Sequence, residues 1–129
     1  MSRLRRLATV VVSLSLLLQA CSTRLPSGSA IPLGGQVGRA AWYGKRHQGK
    51  RTASGERFDA EALTAAHPTE PFGARLKVTN LQNGKSVVVR VNDRGPVGGG
   101  RIIDLSSAAA RAIGISPRGI ATVKVERLR

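Results

Sequence analysis

The sequence predicts a small, mainly β domain: a closed barrel of six short strands with one short helix. From Gly38 onward, short apolar segments alternate with turns rich in Gly and Asn, a pattern typical of all-β barrels and sandwiches. The chain has only four aromatic residues among 129, which argues against a sandwich with an aromatic core. Closure into a barrel would leave no strand edge unpaired.

Each predicted element follows from a local pattern of side chains. The clearest strand carries four valines and follows Asn83-Gly84, a dipeptide typical of hairpin turns. The other strands are shorter and are recognised mainly by alternating apolar positions. The six predicted strands are Arg39–Tyr43, Ala62–Ala66, Arg75–Asn80, Ser86–Asn92, Ile102–Leu105 and Ala121–Glu126. A helix is predicted over Ser107–Ile113, capped by Ser106 or Asp104 and ended by Gly114 and Pro117.

The first twenty residues are predicted to be an export signal. Three arginines precede the uncharged segment Leu7–Ala20, ten of whose fourteen residues are apolar. This segment is too short to span a bilayer, which takes about 20 residues, but it has the length of a secretory signal. The segment is followed directly by Cys21, the only cysteine. The residues up to and including this cysteine resemble the bacterial lipobox. Lipidation of Cys21 is predicted, and the alternatives are an ordinary signal peptide or an N-terminal anchor with an incidental cysteine.

The chain is therefore predicted to have three parts. Residues 1–20 form the lipoprotein signal peptide, residues 21–37 a lipidated flexible linker rich in Ser, Gly and Pro, and residues 38–129 the barrel domain. The predicted location is the periplasmic side of the cell envelope. Ser22 follows the cysteine, which by resemblance to Gram-negative lipoproteins indicates a lipid anchor in the outer membrane.

The charge of the chain indicates a polyanionic partner. The formal net charge is +14, and removal of residues 1–20 takes away three arginines and no acid, which leaves +11. Nucleic acid is the usual partner of such a chain, but export excludes it here and favours cell-wall glycan. Glycan strands carry a free lactyl carboxylate wherever the stem peptide has been removed, and a basic cleft would suit them. The alternative is a generally solvated cationic surface, and we expect a monomer.

Few residues in the sequence are candidates for catalysis or metal binding. A single cysteine excludes a disulfide within the chain and a cysteine-ligated metal centre. The sequence has no HExxH pair, no GxSxG and no glycine-rich phosphate loop. We therefore predict no metal and no cofactor, which leaves seven carboxylates and two histidines as candidates.

Asp93 is the most informative of these carboxylates. Alternate residues of a strand share a face, so Asp93 should continue the row formed by Val87, Val89 and Val91. An acid at the end of such a row would be partly desolvated, which suits a general acid. The alternative is a turn aspartate before Gly95-Pro96.

The other candidates are less distinctive. Glu56 and Asp59 lie three apart in a polar loop and could bind sugar hydroxyls or orient a catalytic group, but they could equally be solvated, with an Asx turn. A histidine placed like His67, before a proline, is more often a packed hydrogen-bonding side chain than a catalyst. Trp42 and Tyr43 could stack on sugar rings, although packing in the barrel core would also explain Trp42. Asp104, before the helix, is most simply a cap.

Ordered motifs over about residues 38–128 resemble those of the rare lipoprotein A (RlpA-like) family. They are Ala41-Trp42-Tyr43-Gly44, Thr52-Ala53-Ser54-Gly55-Glu56, Ala62-Leu63-Thr64-Ala65-Ala66-His67, Pro71-Phe72-Gly73, Val78-Thr79-Asn80-Leu81, Asn83-Gly84, Val89-Arg90-Val91-Asn92-Asp93-Arg94-Gly95-Pro96 and Gly100-Arg101-Ile102-Ile103-Asp104-Leu105-Ser106.

The resemblance implies a double-psi β-barrel and endolytic lytic transglycosylase activity on peptidoglycan strands that lack stem peptides. It implies functional roles for Glu56, Asp59, His67 and Asp93. In this interpretation Asp93 acts first as acid and then as base, with Glu56 as the second candidate for that role. Asp59 and His67 position the substrate or hold the carboxylates. Trp42, Tyr43, Asn92 and Arg94 are the predicted substrate-binding residues.

Two other functions remain open from the sequence. One is a non-catalytic module that binds glycan or loosens the wall, as in the related expansins. The other is a lipid-tethered structural protein that uses its charge. Intact Asp93 and Glu56 favour the enzyme.

Overall fold

The computed structural model describes residues 31–32, 34–116 and 119–129. Within these residues the chain forms six strands, one α-helix (α1) and one 3-10 turn at Lys45–His47. The strands are β1 (Gln36–Trp42), β2 (Thr64–Ala66), β3 (Arg75–Asn80), β4 (Ser86–Asp93), β5 (Arg101–Leu105) and β6 (Ala121–Arg127), and α1 is Ser107–Ala112.

The strands close into a barrel in the order β1-β5-β2-β4-β3-β6. Two pairs are parallel, β1 with β5 and β2 with β4, and the other four pairs are antiparallel. Parallel pairs cannot be joined by a hairpin and need a longer crossover. The long connection from β1 to β2 contains the polar loop that carries Glu56 and Asp59. The predicted mainly β class, six strands with one helix, is confirmed.

The element boundaries agree with the prediction to within a few residues. β3 has the predicted bounds, and β4 extends one residue further, to Asp93. β2 is shorter than predicted and begins at Thr64. β1 begins at Gln36, three residues before the predicted strand and inside the segment assigned to the linker. The predicted signal peptide and Cys21 lie outside the described residues.

The barrel core is built from alternating aliphatic side chains. On β3 and β6 every second residue is fully buried, and its neighbours reach the solvent, because successive side chains of a strand point to opposite faces. The helix adds small side chains that allow it to lie close to the sheet. The large aliphatic side chains of this cluster that are fully buried are Leu76, Val78, Val89, Val91, Ile103, Leu105, Ile113, Val123 and Val125.

Helix α1 begins at the buried Ser106, one of the two predicted caps. Ser106 Oγ accepts a hydrogen bond from the backbone N–H of Ala109 at 3.2 Å and donates one to the Ala62 carbonyl at 2.6 Å. The cap therefore also ties the helix to the segment before β2. Among the described residues, no helix is long and apolar enough to cross a membrane.

Candidate active site

The end of β4 is irregular, and this irregularity sets the direction of Asp93. On β2, Thr64 pairs with Arg90 and Ala65 with Val91, but Ala66 pairs with Asp93. Asn92 is therefore an extra residue in the β4 strand, as in a β-bulge. Because Thr64 and Ala66 share a face of β2, Asp93 shares the outer face of the sheet with Arg90. The predicted continuation of the valine row to Asp93 is wrong, since the bulge reverses the alternation.

Asp93 is half-buried and is held by two backbone donors. Its Oδ1 accepts hydrogen bonds from the N–H of Ala53 and the N–H of Arg94, each at 2.9 Å. The first donor comes from the polar loop, which docks on β4 through a second bond, from Ser54 N–H to the Asn92 carbonyl at 3.2 Å. The loop thus fixes the Asp93 carboxyl at the rim of the barrel, where the sequence predicted a catalytic acid.

The polar loop folds through a tight turn that presents Glu56. The Thr52 N–H donates to the Glu56 carbonyl at 2.8 Å, and the Gly55 N–H donates to the Thr52 carbonyl at 2.9 Å. Gly55 lies at φ +86°, a conformation that side-chain-bearing residues rarely adopt. The turn places the Glu56 side chain over the outer face of β4, beside Arg90.

Glu56 forms a two-pronged ion pair with Arg90. The Arg90 guanidinium donates to both carboxylate oxygens of Glu56, at 2.6 and 2.7 Å. This hydrogen-bonded pair holds the pKa of Glu56 below its usual value. A carboxylate that stays ionised suits stabilisation of positive charge better than proton donation.

His67 is buried directly after β2, and its ring is a hydrogen-bond acceptor. Its Nδ1 accepts from the backbone N–H groups of Glu70 at 3.1 Å and Thr69 at 3.2 Å. Because Nδ1 accepts both bonds, the neutral ring carries its proton on Nε2, which is buried without a partner. Burial lowers the pKa of His67. The His67 N–H donates to the Asp93 carbonyl at 3.2 Å, so His67 and Asp93 are neighbours through their backbones.

Asp59 is exposed and bonds to its own loop. Its Oδ1 accepts from the Glu61 N–H at 2.9 Å, which is the Asx turn that the sequence left open as an alternative. The structure thus brings Asp93 together with the Glu56 loop and with the His67 backbone, and it gives Asp59 a local turn contact.

The predicted substrate-binding aromatics are largely engaged in packing. Trp42 lies against the core and donates from Nε1 to the Ser116 carbonyl at 3.0 Å. The Tyr43 ring packs against buried Phe58 at 4.6 Å between centroids. The Tyr43 hydroxyl is buried without a hydrogen-bond partner. Its pKa is raised by burial and by the negative charges of Asp93 and Asp104.

The remaining predicted binding residues flank Asp93 on either side in sequence. Asn92 is buried, and its amide makes no well-formed hydrogen bond, although it lies near enough to Glu56 to help hold that pKa down. Arg94 donates from Nη1 to the Glu70 carbonyl at 2.8 Å, and its guanidinium lies 3.9 Å from the centre of the Phe72 ring. Phe72 is itself 43% exposed, so it is a partly exposed aromatic side chain beside Arg94 to which the sequence analysis assigned no role.

Asp104 is the second residue that the sequence analysis missed. It was assigned to the helix cap, but the cap is Ser106. Asp104 lies on β5 opposite Ala66, the same residue that pairs with Asp93 from the other side. Burial raises the pKa of Asp104, Arg101 opposes this effect and the charge of Asp93 adds to it. Its proximity to Asp93 depends on strand register, which the sequence pattern alone does not give.

No group of three or more His, Cys, Asp or Glu side chains that could hold a metal ion occurs in the described part of the chain. The groups that the described residues place at the rim are carboxyls, guanidinium groups and backbone N–H donors. Together, the closed barrel and its two parallel strand pairs define a double-psi β-barrel protein, and carboxyl side chains lie at its rim.

Comparison with known proteins gives the family. A family model described as lytic transglycolase matches residues 35–125, so the chain belongs to the lytic transglycolase family. A probable endolytic peptidoglycan transglycosylase RlpA from Synechocystis sp. is 53% identical over 128 residues, which are 97% of this chain and 40% of that protein. The endolytic peptidoglycan transglycosylase RlpA of Neisseria meningitidis serogroup A is 55% identical over 93 residues, 72% of this chain and 39% of that protein. The chain thus spans about two fifths of the length of these relatives.

Solved structures support the same fold. The Streptomyces papain inhibitor superposes with a TM-score of 0.60 and 27% identity, covering 78% of this chain and all of that one. An expansin from Clavibacter michiganensis superposes with a TM-score of 0.59 and 27% identity, covering 74% of this chain and 50% of that one. The predicted RlpA-like resemblance and the double-psi β-barrel are confirmed.

Proposed function

We propose that this protein is an endolytic peptidoglycan lytic transglycosylase that cleaves peptide-free glycan strands and leaves 1,6-anhydro-muramic ends. The names of the curated relatives support this activity. The observation that carries the proposal is the half-buried Asp93 carboxyl, fixed at the barrel rim by the N–H groups of Ala53 and Arg94.

The reaction needs one group that first gives and then takes a proton. In the proposed mechanism the Asp93 carboxylic acid protonates the glycosidic oxygen while the bond from that oxygen to the muramic anomeric carbon breaks. The C6 hydroxyl of the same sugar then attacks the anomeric carbon, and Asp93 takes up the hydroxyl proton. Because the nucleophile belongs to the substrate, its effective concentration is high and no second carboxylate has to activate water.

The neighbouring groups have supporting roles. The ionised Glu56, held by Arg90, stabilises the positive charge that develops on the sugar ring. His67 and its two backbone bonds hold the segment after β2 against the Asp93 backbone. Asp59 shapes the polar loop. Arg94, with Phe72 beneath its guanidinium, provides a binding surface for the glycan next to Asp93.

The test is a digest of peptide-free glycan strands by the purified protein, with mass spectrometry to detect anhydro-muramyl ends. Asp93→Asn should abolish the product and leave the circular dichroism spectrum unchanged. Glu56→Gln should slow the reaction without ending it, because Glu56 is not the proton donor. Undiminished turnover by Asp93→Asn would remove this residue from the mechanism, and an inactive Glu56→Gln with an active Asp93→Asn would exchange the two roles.

A second candidate is a non-catalytic, expansin-like glycan-binding or wall-loosening function. The superposition on an expansin favours it, since that fold is shared over 74% of this chain. The same digest separates the two functions. Binding of the glycan without anhydro ends would support the expansin-like function, and neither binding nor cleavage would leave a structural, charge-based function.

The cellular placement is part of the proposal. We infer a monomer that is anchored by lipid at Cys21 on the periplasmic side of the envelope, in the outer membrane. The support is the uncharged segment Leu7–Ala20 directly before the only cysteine. Metabolic labelling with a palmitate analogue should mark the wild-type protein and fail to mark Cys21→Ala. Equal labelling of both proteins would contradict the anchor.

A further inference from the structure

We propose that Asp104 is a positioning carboxyl of the active site, which acts through Asp93 to retain the proton that cleavage requires. The proposal rests on the proposed transglycosylase function and adds to it a residue outside the four predicted catalytic side chains. It comes from three independent features: strand register, burial and the surroundings of Tyr43.

Strand register places Asp93 and Asp104 on either side of one small residue. Ala66 pairs with Asp93 on β4 and with Asp104 on β5. Since neighbouring strands lie about 4.8 Å apart, the Cα atoms of the two aspartates are about 10 Å apart. Both side chains share the outer face with the Ala66 methyl group, which is too short to separate them. The bulge at Asn92 is essential to this arrangement, because without it Asp93 would point to the core.

Burial keeps both carboxyls partly out of water. The Asp104 side chain is 19% exposed, and Asp93 is half-buried beneath the polar loop. Like charges that share a partly desolvated site cannot both ionise freely, so such a pair holds one proton to a higher pH than an isolated carboxyl would. Burial and the charge of Asp93 both raise the pKa of Asp104, in agreement with the geometry.

Tyr43 supplies the third observation. Its hydroxyl is buried without a hydrogen-bond partner, and both Asp93 and Asp104 act on it electrostatically. The Tyr43 side chain, directly after β1, therefore lies near both aspartates.

The groups that face Asp104 come from its own strand and from the neighbouring strands. Arg101, on the same strand, pairs with it at 3.3 Å and favours its ionised form. Asp93 on β4 opposes ionisation, and Tyr43 after β1 is a neutral donor. The facing residues on β2 and β1, Ala66 and Ala41, carry no charge.

The pair then works as a unit in the reaction. One proton resides on the two carboxyls and passes from Asp93 to the glycosidic oxygen as the bond to the anomeric carbon breaks. The C6 hydroxyl closes the anhydro ring, and its proton returns to the pair, so the enzyme ends in its starting state.

The first test is the pH profile of kcat/KM with peptide-free glycan strands. Asp104→Asn removes the negative charge, so the alkaline limb of the profile should move to lower pH by about one unit. Arg101→Gln removes the opposing positive charge and should move the same limb to higher pH. The matched control is Glu61→Gln, which loses one exposed carboxylate that pairs with Arg111 and should leave the limb in place. A folded Asp104→Asn enzyme with the wild-type limb would overturn the proposal.

The second test does not depend on activity. Carbon-13 NMR titration of the Asp104 carboxyl in the wild-type protein should give a midpoint that falls when Asp93→Asn is introduced. An unchanged midpoint would refute the coupling, even if the glycan is cleaved. If instead the wild-type protein yields no anhydro ends at any pH while the midpoint does shift, the proposed function fails and the coupled pair stands.

Discussion

Glu56 and Asp93 are two carboxylates at the barrel rim with different partners. Glu56 meets the guanidinium of Arg90, whereas Asp93 meets two neutral backbone N–H groups. A guanidinium partner keeps a carboxylate ionised, whereas backbone donors bound to one oxygen leave the other oxygen free for a proton. In the proposed mechanism, this difference in partners divides the catalytic work between residues of the same chemistry.

His67 gives a prediction about stability and pH. Its folded-state pKa lies below the ordinary value, so the unfolded chain binds a proton more readily than the folded one. The contribution of His67 to stability is therefore complete above about pH 6.5 and is lost as the pH falls through the folded-state value. Thermal unfolding midpoints measured between these limits should decrease toward acid. His67→Asn, whose carbonyl oxygen can replace Nδ1 as acceptor, should remove this part of the decrease, and an unaltered slope would contradict the assignment.

At the residue scale, the sequence predicts candidate residues, but it does not predict their geometry. Asp93 and Glu56 were recognisable because the motifs around them are long and ordered. The bulge at Asn92 could not be recognised from the sequence, since nothing in a run of valines followed by Asn marks one residue as extra. Asp104 was misassigned for a related reason: an aspartate three residues before a helix satisfies the pattern of a cap, and only the strand pairing of Ala66 shows its other neighbour.

At the scale of elements, Ser106 connects three parts of the chain. Its hydroxyl caps α1, donates to the Ala62 carbonyl and lies 3.4 Å from the Thr64 N–H. The helix, the β1–β2 connection and β2 are thus joined at one buried oxygen. Since this connection carries the Glu56 loop, the same oxygen also anchors its C-terminal end.

Replacement of Ser106 gives the prediction at this scale. Ser106→Ala should lower the free energy of unfolding by about 2 kcal/mol, because a helix cap and a buried acceptor both lose their partner. The matched control is Ser107→Ala, since the neighbouring Ser107 hydroxyl is buried without a partner and its loss should be neutral or stabilising. Urea denaturation of both variants measures the difference. Equal losses would show that general burial, and not the cap, accounts for the effect.

The strands also show what sequence patterns determine. β3 was predicted with its observed bounds because half of it alternates strictly and a hairpin turn follows it. β1 begins earlier than predicted because Gln36, Val37 and Gly38 resemble the glycine-rich linker before them, and only their pairing with β6 makes them a strand. Local pattern determined the elements, whereas long-range pairing determined where they begin.

At the scale of the molecule, we expect the positive charge to affect binding of the glycan more than the rate of the chemical step. The chain carries 21 Lys and Arg against 7 Asp and Glu, and peptide-free glycan offers one lactyl carboxylate per muramic acid. Attraction between such groups weakens as the Debye length shrinks. Raising the salt concentration should therefore increase KM and leave kcat nearly constant. Glycan whose carboxylates have been amidated should show a high KM that no longer depends on salt, and a salt effect confined to kcat would contradict the prediction.

The closure of the barrel by β6 has a consequence for how the molecule is made. β6 hydrogen-bonds to both β1 and β3. Until β6 is in place, one edge of β1 and one edge of β3 therefore have unpaired backbone groups. In a nascent chain that lacks Ala121–Arg127, β1 therefore has β5 as a partner but not β6. The barrel can be completed only when both extremes of the described fold are free to meet, so it cannot close before β6 has been synthesised.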